Sequence, residues 1–205
     1  KSNEEKIVVY APSDLMRYVV VKQEGRKVHV KIQSERKLSI STDRIKIKVY
    51  ARDFDRLVAS SSGSILLKDD FKFSDLDVKV SSSGNIKGNI SGNNVNIQAS
   101  SSGDYNGDVI AKSLNLQTSS SGGINIKGKA ENVSAQSSSS GDIKAENFTT
   151  ESAVLTTSSS ADITIGVRTS LTASASSSGD INVIKRGELN KVTKNESSSG
   201  SVNIR

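Results

Sequence analysis

The sequence predicts an all-β protein, a parallel β-solenoid (β-helix-like) of about eight repeats of 19–20 residues with an N-terminal β cap. The first observation behind this prediction is a tetrapeptide, Ser-Ser-Ser-Gly, that returns throughout residues 57–205. Eight copies follow one another at intervals of 18 to 21 residues, and the sixth carries alanine in place of glycine. A period of this length is typical of stacked repeats, because no single repeat can bury its apolar face alone.

The second observation is that apolar and polar residues alternate on both sides of the tetrapeptide. Around the third copy, Val95, Ile97, Ala99 and Tyr105 share one parity, whereas Asn, Gln, Ser and Asp occupy the other. Period-two alternation places the apolar set on one face of an extended strand. A flexible Ser/Gly linker has no reason to hold this phase through every copy.

Counting by twos through the tetrapeptide puts its middle serine and its last residue on the inward parity. We therefore expect two inward ladders of small residues, where opposite walls of the solenoid approach closely. The alanine of the sixth copy indicates that close packing, rather than a left-handed turn, selects glycine, because alanine disfavours positive φ. The serine ladder comprises Ser61, Ser82, Ser101, Ser120, Ser139, Ser159, Ser177 and Ser198. The second ladder comprises Gly63, Gly84, Gly103, Gly122, Gly141, Ala161, Gly179 and Gly200.

The chain of 205 residues is expected to form one domain with two parts. Residues 57–205 form the regular repeats, and residues 1–56 form the β cap or atypical first coils. Within the cap, alternating strands are predicted at 6–10, 18–21, 27–32 and 44–50. The last repeat has no obvious cap, and an open strand edge could pair with another chain, so self-association through this edge is expected.

The excess of positive charge lies in the N-terminal part. Residues 1–56 hold 14 basic and 8 acidic residues, which leaves 28 − 14 = 14 basic and 22 − 8 = 14 acidic residues in the repeats. Arg44, Lys46 and Lys48 alternate with apolar residues, which is typical of a solvated strand face. The alternative is a surface for an anionic partner such as lipopolysaccharide or an acidic glycan. Nucleic acid is not expected, because no basic groove with interleaved aromatics is present.

The sequence offers little for catalysis, and no enzyme is predicted. Cysteine is absent, which removes disulfides and thiol nucleophiles. His29 is the only histidine and has an outward parity, so the serines lack a base that would activate them. Tryptophan is absent, and the tyrosines form no stripe on which sugars could stack.

One candidate metal site follows from the stacking. The residue after the tetrapeptide is aspartate in three consecutive copies, at Asp142, Asp162 and Asp180. Like charges about 5 Å apart repel, so this column needs a counter-ion, a lysine or solvent to screen its charges. The hypothesis is a Ca²⁺-binding column, and the alternative is that each carboxylate faces solvent or a backbone amide. No other cofactor is expected.

The segments Ser102-Gly103-Asp104-Tyr105, Ser140-Gly141-Asp142-Ile143 and Ser178-Gly179-Asp180-Ile181 give the chain a family resemblance. With the N-terminal β region, it resembles the auto-transporter adhesin "head GIN" domain family, which is common in Bacteroidetes. That family repeats a Gly-Ser-Gly-Asp-Ile-like run, and this chain places serine two residues before the glycine instead of glycine. The resemblance implies an exported, often lipid-anchored β-solenoid with no established enzymatic activity and no known functional residues.

The expected function is therefore a non-catalytic, adhesin-like or structural module in the periplasm, at the outer membrane or on the cell surface. Its partner would be an extracellular glycan or protein. A removed N-terminal anchor would be its only link to a membrane. The alternative is a polysaccharide-binding or polysaccharide-processing β-helix protein. Carboxylates clustered beside Lys or Arg in a cleft would favour the alternative, whereas featureless polar ladders would favour the adhesin-like module.

Overall fold

The computed structural model describes residues 3–33 and 44–205. The chain divides into two compact units, Lys1–Arg52 and Asp53–Arg205. The division lies close to the predicted change of pattern at residue 57. That the first unit caps the second stays a prediction.

Within residues 3–33 and 44–52, the first unit contains two antiparallel strand pairs. Its elements are β1 (Lys6–Tyr10), α1 (Ser13–Met16), β2 (Val19–Glu24), β3 (Lys27–Ile32) and β4 (Lys46–Tyr50). Strand β1 pairs with β4, and β2 pairs with β3. The β2–β3 turn contains Gly25 at a φ of 59°, which a glycine adopts without strain. All four strands predicted in this part are present, and the short helix after Pro12 was not predicted.

The second unit is a parallel β-solenoid, as predicted. Consecutive coils pair in parallel, so that Leu116 lies between Ile97 of the preceding coil and Ala135 of the next. All twelve strands belong to one sheet. They are β5 (Arg56–Ala59), β6 (Ser64–Leu66), β7 (Phe71–Val80), β8 (Asn85–Lys87), β9 (Ile90–Ser100), β10 (Asp104–Ser119), β11 (Gly123–Ser137), β12 (Asp142–Thr157), β13 (Asp162–Ala175), β14 (Asp180–Lys185), β15 (Lys191–Glu196) and β16 (Ser201–Ile204).

The core of the solenoid is formed by the apolar residues that alternate along each strand. Ile97, Leu116 and Leu155 are almost fully buried, and the same columns continue through most coils. Tyr105 is also buried, and its hydroxyl donates a hydrogen bond of 2.9 Å to the carbonyl oxygen of Gly88. Burial, followed by the nearby charge of Asp108, raises the pKa of Tyr105, so its phenol stays protonated.

The prediction that the middle serine of each copy points inward is wrong. The middle and third serines of every copy have positive φ, for example 49° at Ser101 and 59° at Ser102, and both side chains are exposed. The N–H of Gly103 donates to the carbonyl of Ser100 at 2.9 Å, which closes a turn of the type I′ pattern. The eight predicted serines therefore lie on the outside of a corner. Parity counting missed this because the corner turns two successive residues outward before the alternation resumes.

The glycines of the inner coils are buried, as parity predicted, and close packing is the reason, whereas Gly63 in the first coil is exposed and Gly200 in the last is half-buried. Gly103 and Gly122 are buried, and neither has a positive φ. A Cβ on Gly122 would lie only 2.4 Å from the carbonyl oxygen of Ala99 in the preceding coil. Ala161 occupies the same inward position in its coil and is fully buried. Within the described chain, its corner is the one that lacks the closing hydrogen bond.

The corners are held together between coils by backbone hydrogen bonds. The third serine of one coil donates its N–H to the carbonyl of the middle serine in the next coil, as Ser102 does to Ser120 at 3.2 Å. The same bond recurs at every step along the stack, at 3.0 to 3.2 Å. Apart from Ser61 in the first corner and Ser199 in the last, each of these serines thus gains a partner that only the neighbouring coil supplies.

The last coil differs from the others at its inward positions. Lys194 and Glu196 of β15 pair with Ala173 and Ala175, and so they occupy positions that are apolar in the preceding coil. The Lys194 ammonium donates to the carbonyl of Val202 at 2.6 Å, and the Glu196 carboxylate accepts from the Val202 N–H at 2.6 Å. Charged side chains at inward positions are one way in which proteins protect an open edge. Self-association through this edge stays a prediction, and these charges oppose it.

Candidate ligand-binding groove

A groove of about 650 Å³ crosses several coils of the solenoid on its outer surface. We call it the Asp/Asn groove. Its two walls are columns of short polar side chains that run along the stacking direction. One wall consists of Asp75, Asn94, Ser113 and Asn132, and the other of Asp77, Asn96, Asn115 and Ser134.

A three-residue pattern in each coil builds the two walls. In β9 the pattern is Asn94-Val95-Asn96, in which Val95 is buried and the two asparagines face outward. Parallel register places the pattern of one coil directly above that of the previous coil, so that Asn94 pairs with Asp75 and Asn96 with Asp77. The buried aliphatic residue in the middle fixes both polar neighbours to the solenoid wall.

Hydrogen bonds between coils order the polar side chains. Asn94 donates to a carboxylate oxygen of Asp75 at 2.8 Å, and Asn96 donates to Asp77 at 2.7 Å. Asn115 in turn donates to the side-chain oxygen of Asn96 at 2.9 Å. The Asp77 wall is therefore a chain of polarised amides that ends on a carboxylate, and such networks hold side chains in fixed orientations.

Charge is concentrated at one end of the groove. Asp55, Asp75 and Asp77 line this end together with Lys79. The guanidinium group of Arg56 lies 2.7 Å from a carboxylate oxygen of Asp77. Carboxylates beside basic groups in a cleft are the feature that would favour a polysaccharide-binding or polysaccharide-processing protein over an adhesin-like module.

The three aspartates predicted to bind calcium, Asp142, Asp162 and Asp180, do stack on one another. None of them lines the groove. Asp162 pairs with Asp142 in the coil before it and with Asp180 in the coil after it. The ammonium of Lys144 lies 3.6 Å from Asp142, and the Ser201 hydroxyl donates to Asp180 at 2.6 Å. Among the residues that the structure describes, no three His, Cys, Asp or Glu side chains converge as metal ligands. Calcium binding stays a prediction.

Asp162, in the middle of this column, is the aspartate whose pKa is raised. Burial raises the pKa of Asp162, and the charges of Asp142 and Asp180 raise it further, while a backbone hydrogen bond and Lys144 lower it. The folded carboxyl therefore holds its proton more tightly than the unfolded one. Its ionised form disfavours folding above the raised pKa, and this penalty disappears as the pH falls through the raised pKa towards the ordinary value of 3.8.

We expect Asp162→Asn to raise the free energy of unfolding at neutral pH, by up to about 1 kcal/mol, because it removes like charges that face each other across strands. The gain should fade below the pH at which Asp162 becomes protonated. Urea unfolding at several pH values measures both effects. Asp104→Asn is the matched control, because Asp104 pairs with Asn85 and Gly123 and has no acidic partner in register. An equal gain in both variants would contradict the explanation.

The other predicted sites are not part of the groove. The serines lie at the exposed corners, and His29 is exposed on β3 with its ring nitrogen 3.8 Å from a carboxylate oxygen of Glu24. No residue of the groove was predicted as a site. The signal was present in the sequence as Asp or Asn on both sides of Leu76 and Val95, repeated at an interval of 19 residues.

The fold and the groove define the class of protein, a parallel β-solenoid that presents ordered columns of polar side chains. The family model described as "Putative auto-transporter adhesin, head GIN domain" matches residues 1–108 and 87–187. The chain belongs to this family, and the resemblance seen in the repeat segments is confirmed. Among curated proteins no significant match is found.

Several solved structures share the fold. A protein from Parabacteroides merdae called a putative adhesin aligns with a TM-score of 0.89 and 16% identity over 100% of this chain and 85% of its own. A putative lipid binding protein from Parabacteroides distasonis aligns with a TM-score of 0.82 and 24% identity over 100% of this chain and 86% of its own. A putative adhesin from Bacteroides fragilis aligns with a TM-score of 0.70 and 17% identity over 98% of this chain and 83% of its own. At these identities the likeness shows the fold.

The family description suggests an exported or surface location. In the ranges 3–33 and 44–205, no helix has the length and apolar character needed to span a membrane.

Proposed function

We propose that the protein is an exported, non-catalytic adhesin-type module that binds a polysaccharide along the Asp/Asn groove. The observation that carries this proposal is the pair of ordered Asp/Asn columns, in which Asn94 bonds to Asp75 and Asn96 to Asp77. Coils stack at about 4.8 Å, so each wall repeats its polar group at roughly the length of one sugar unit. A chain of sugars laid along the groove would meet one short polar side chain, Asp, Asn or Ser, from each wall at each step.

The chemistry of the walls suits sugar hydroxyls. A carboxylate accepts hydrogen bonds, and an amide both donates and accepts, so an Asp or Asn can bind two neighbouring hydroxyls of one ring. The coil-to-coil hydrogen bonds orient these groups before a ligand arrives, which lowers the entropic cost of binding. The family description and the neighbours called adhesins support a role in adhesion.

A glycan array with and without calcium, followed by titration of the best ligand, tests the proposal. We expect Asn96→Ala with Asn115→Ala to weaken binding at least tenfold, because the double variant removes two adjacent rungs of one wall. The control is Gln98→Ala with Gln117→Ala, a hydrogen-bonded amide pair on the same two strands that does not line the groove. Equal losses in both double variants, or binding to no glycan, would refute the groove as the site. Loss of binding with a chelator would implicate the aspartate column.

A second candidate function is polysaccharide processing at the charged end of the groove. Asp55, Asp75 and Asp77 lie there beside Arg56 and Lys79, and paired carboxylates are the usual acid and base of glycoside cleavage. Incubation with the glycans that bind, followed by mass analysis, would reveal shorter products. Cleavage that is lost in Asp75→Asn would establish the enzyme and overturn the non-catalytic module. Intact polymers after prolonged incubation would leave binding as the function.

A further inference from the structure

The face of the β1–β4 ribbon that carries its lysines is a second surface with a distinct chemistry. Lys6 pairs with Tyr50, and Tyr10 pairs with Lys46, so the register puts all four side chains on one face together with Lys48. We call this set of five residues the basic ribbon face. The basic residues of β4 can be recognised in the sequence, but the pairing that adds Lys6 and Tyr10 of β1 to their face cannot.

The lysines and tyrosines of this face contact each other. The Lys6 ammonium lies 5.3 Å from the centre of the Tyr50 ring, and the Lys48 ammonium lies 5.0 Å from the centre of the Tyr10 ring. Both distances are within the range of cation–π attraction. These contacts hold the two flexible lysine side chains against the aromatic rings.

The positive charge of this face is only partly neutralised. Lys6 pairs with Glu4 at 2.7 Å. Within the described part of the chain, neither Lys46 nor Lys48 forms an ion pair with a carboxylate. Both lysines are exposed, as is Tyr10, 48% of whose surface is open to solvent. The face therefore offers ammonium groups and phenol hydroxyls to an anion in solution.

The spacing of the charges fits an extended polyanion. Lys46 and Lys48 are two residues apart on β4, which corresponds to about 7 Å. Lys6 lies two positions further along the ribbon on β1, because it pairs with Tyr50. The backbone positions of the three lysines thus follow the ribbon axis at similar intervals, which suits an extended anion better than a compact one.

We propose that the basic ribbon face binds an acidic polysaccharide, with the lysine ammonium groups on its carboxylates or sulfates and the tyrosine hydroxyls as further donors. Charge complementarity carries this inference: residues 1–56 hold 14 basic and 8 acidic residues, whereas the solenoid is electrically neutral overall. The two surfaces differ in chemistry, since the walls of the Asp/Asn groove are acidic or neutral. This inference does not depend on the proposed function of the groove.

Titration of the full chain with an oligogalacturonate tests the proposal, and the methyl ester of the same oligomer serves as the uncharged ligand. We expect binding of the acid and not of the ester, with an affinity that falls as salt rises. Lys46→Gln with Lys48→Gln should weaken binding at least tenfold. The matched control is Lys27→Gln with Lys31→Gln, which removes the same charge from β3 and should change the affinity less than twofold. Gln98→Ala with Gln117→Ala, on the solenoid and outside the groove, should leave this affinity unchanged.

Three results would overturn the proposal. Equal losses in the two lysine double variants would mean that net charge alone attracts the oligomer. Equal binding of the acid and its methyl ester would mean that charge is not recognised. Tighter binding to phosphatidylglycerol vesicles than to the oligomer, with the same dependence on Lys46 and Lys48, would assign the face to a membrane surface instead.

Discussion

Replacing Gly122 with alanine is expected to lower the free energy of unfolding by about 2–3 kcal/mol, because the new methyl group would overlap the backbone of the preceding coil. A Cβ at this position would lie 2.4 Å from the carbonyl oxygen of Ala99 and 2.7 Å from the Ser100 nitrogen. These atoms belong to the hydrogen-bonded wall of the solenoid, so they cannot move aside as a flexible side chain would. Urea unfolding measures the loss.

Gly63→Ala is the matched control for this prediction. Gly63 ends the first copy of the same turn, and its Cβ would meet only backbone atoms of Ser60 in its own coil, the nearest at 3.0 Å. We expect a cost below about 1 kcal/mol there. The native Ala161 shows how a coil accommodates the methyl group. Its corner lacks the closing hydrogen bond from the N–H of residue 161 to the carbonyl of Ser158. Equal costs at Gly63 and Gly122 would contradict stacking as the reason for glycine.

Replacing Ser101-Ser102 with Asn-Gly is expected to stabilise the solenoid by about 1 kcal/mol. Both serines have the positive φ that costs an ordinary residue about 1–2 kcal/mol, and Asn and Gly tolerate it best. Part of the gain is lost because glycine has more freedom in the unfolded chain. The backbone bond from residue 102 to Ser120 needs no side chain and should survive. Chemical denaturation measures the change.

The same dipeptide at Lys112-Ser113 provides the control for the corner. These residues lie in β10, are also exposed, and have no positive φ. Glycine there should destabilise the strand by about 0.5–1 kcal/mol. If Asn-Gly lowered stability at the corner as well, the left-handed serines would not be strained. A stabilised corner would mean that the serines are retained at a cost, for a reason other than folding.

Much of the solenoid could be predicted from the sequence because its repeat length and its strand parity are both local properties. The interval between tetrapeptides determined the parallel register, as the pairing of Leu116 with Ile97 and Ala135 shows. Parity identified the buried columns and the inward glycines. It could not identify the direction of Ser101, because a turn with two left-handed residues interrupts the alternation without changing its phase.

The candidate sites required the tertiary structure. Asn96 and Asp77 are 19 residues apart, and only the stacking of coils joins them in one wall. The basic ribbon face depends on the pairing of β1 with β4, two strands that are distant in the chain. A sequence shows which residues could face outward, but not which outward residues become neighbours.

Repeat period, strand alternation and charge can be counted along the chain, and they are enough to predict a stack of β coils with a basic N-terminal part. Folding was needed to show that the corner serines adopt positive φ, that Asp and Asn columns line a groove, and that Lys6 and Tyr10 of β1 share a face with Lys46, Lys48 and Tyr50 of β4. These features arise from contacts between coils and between strands. Such contacts have no counterpart in the order of neighbouring residues.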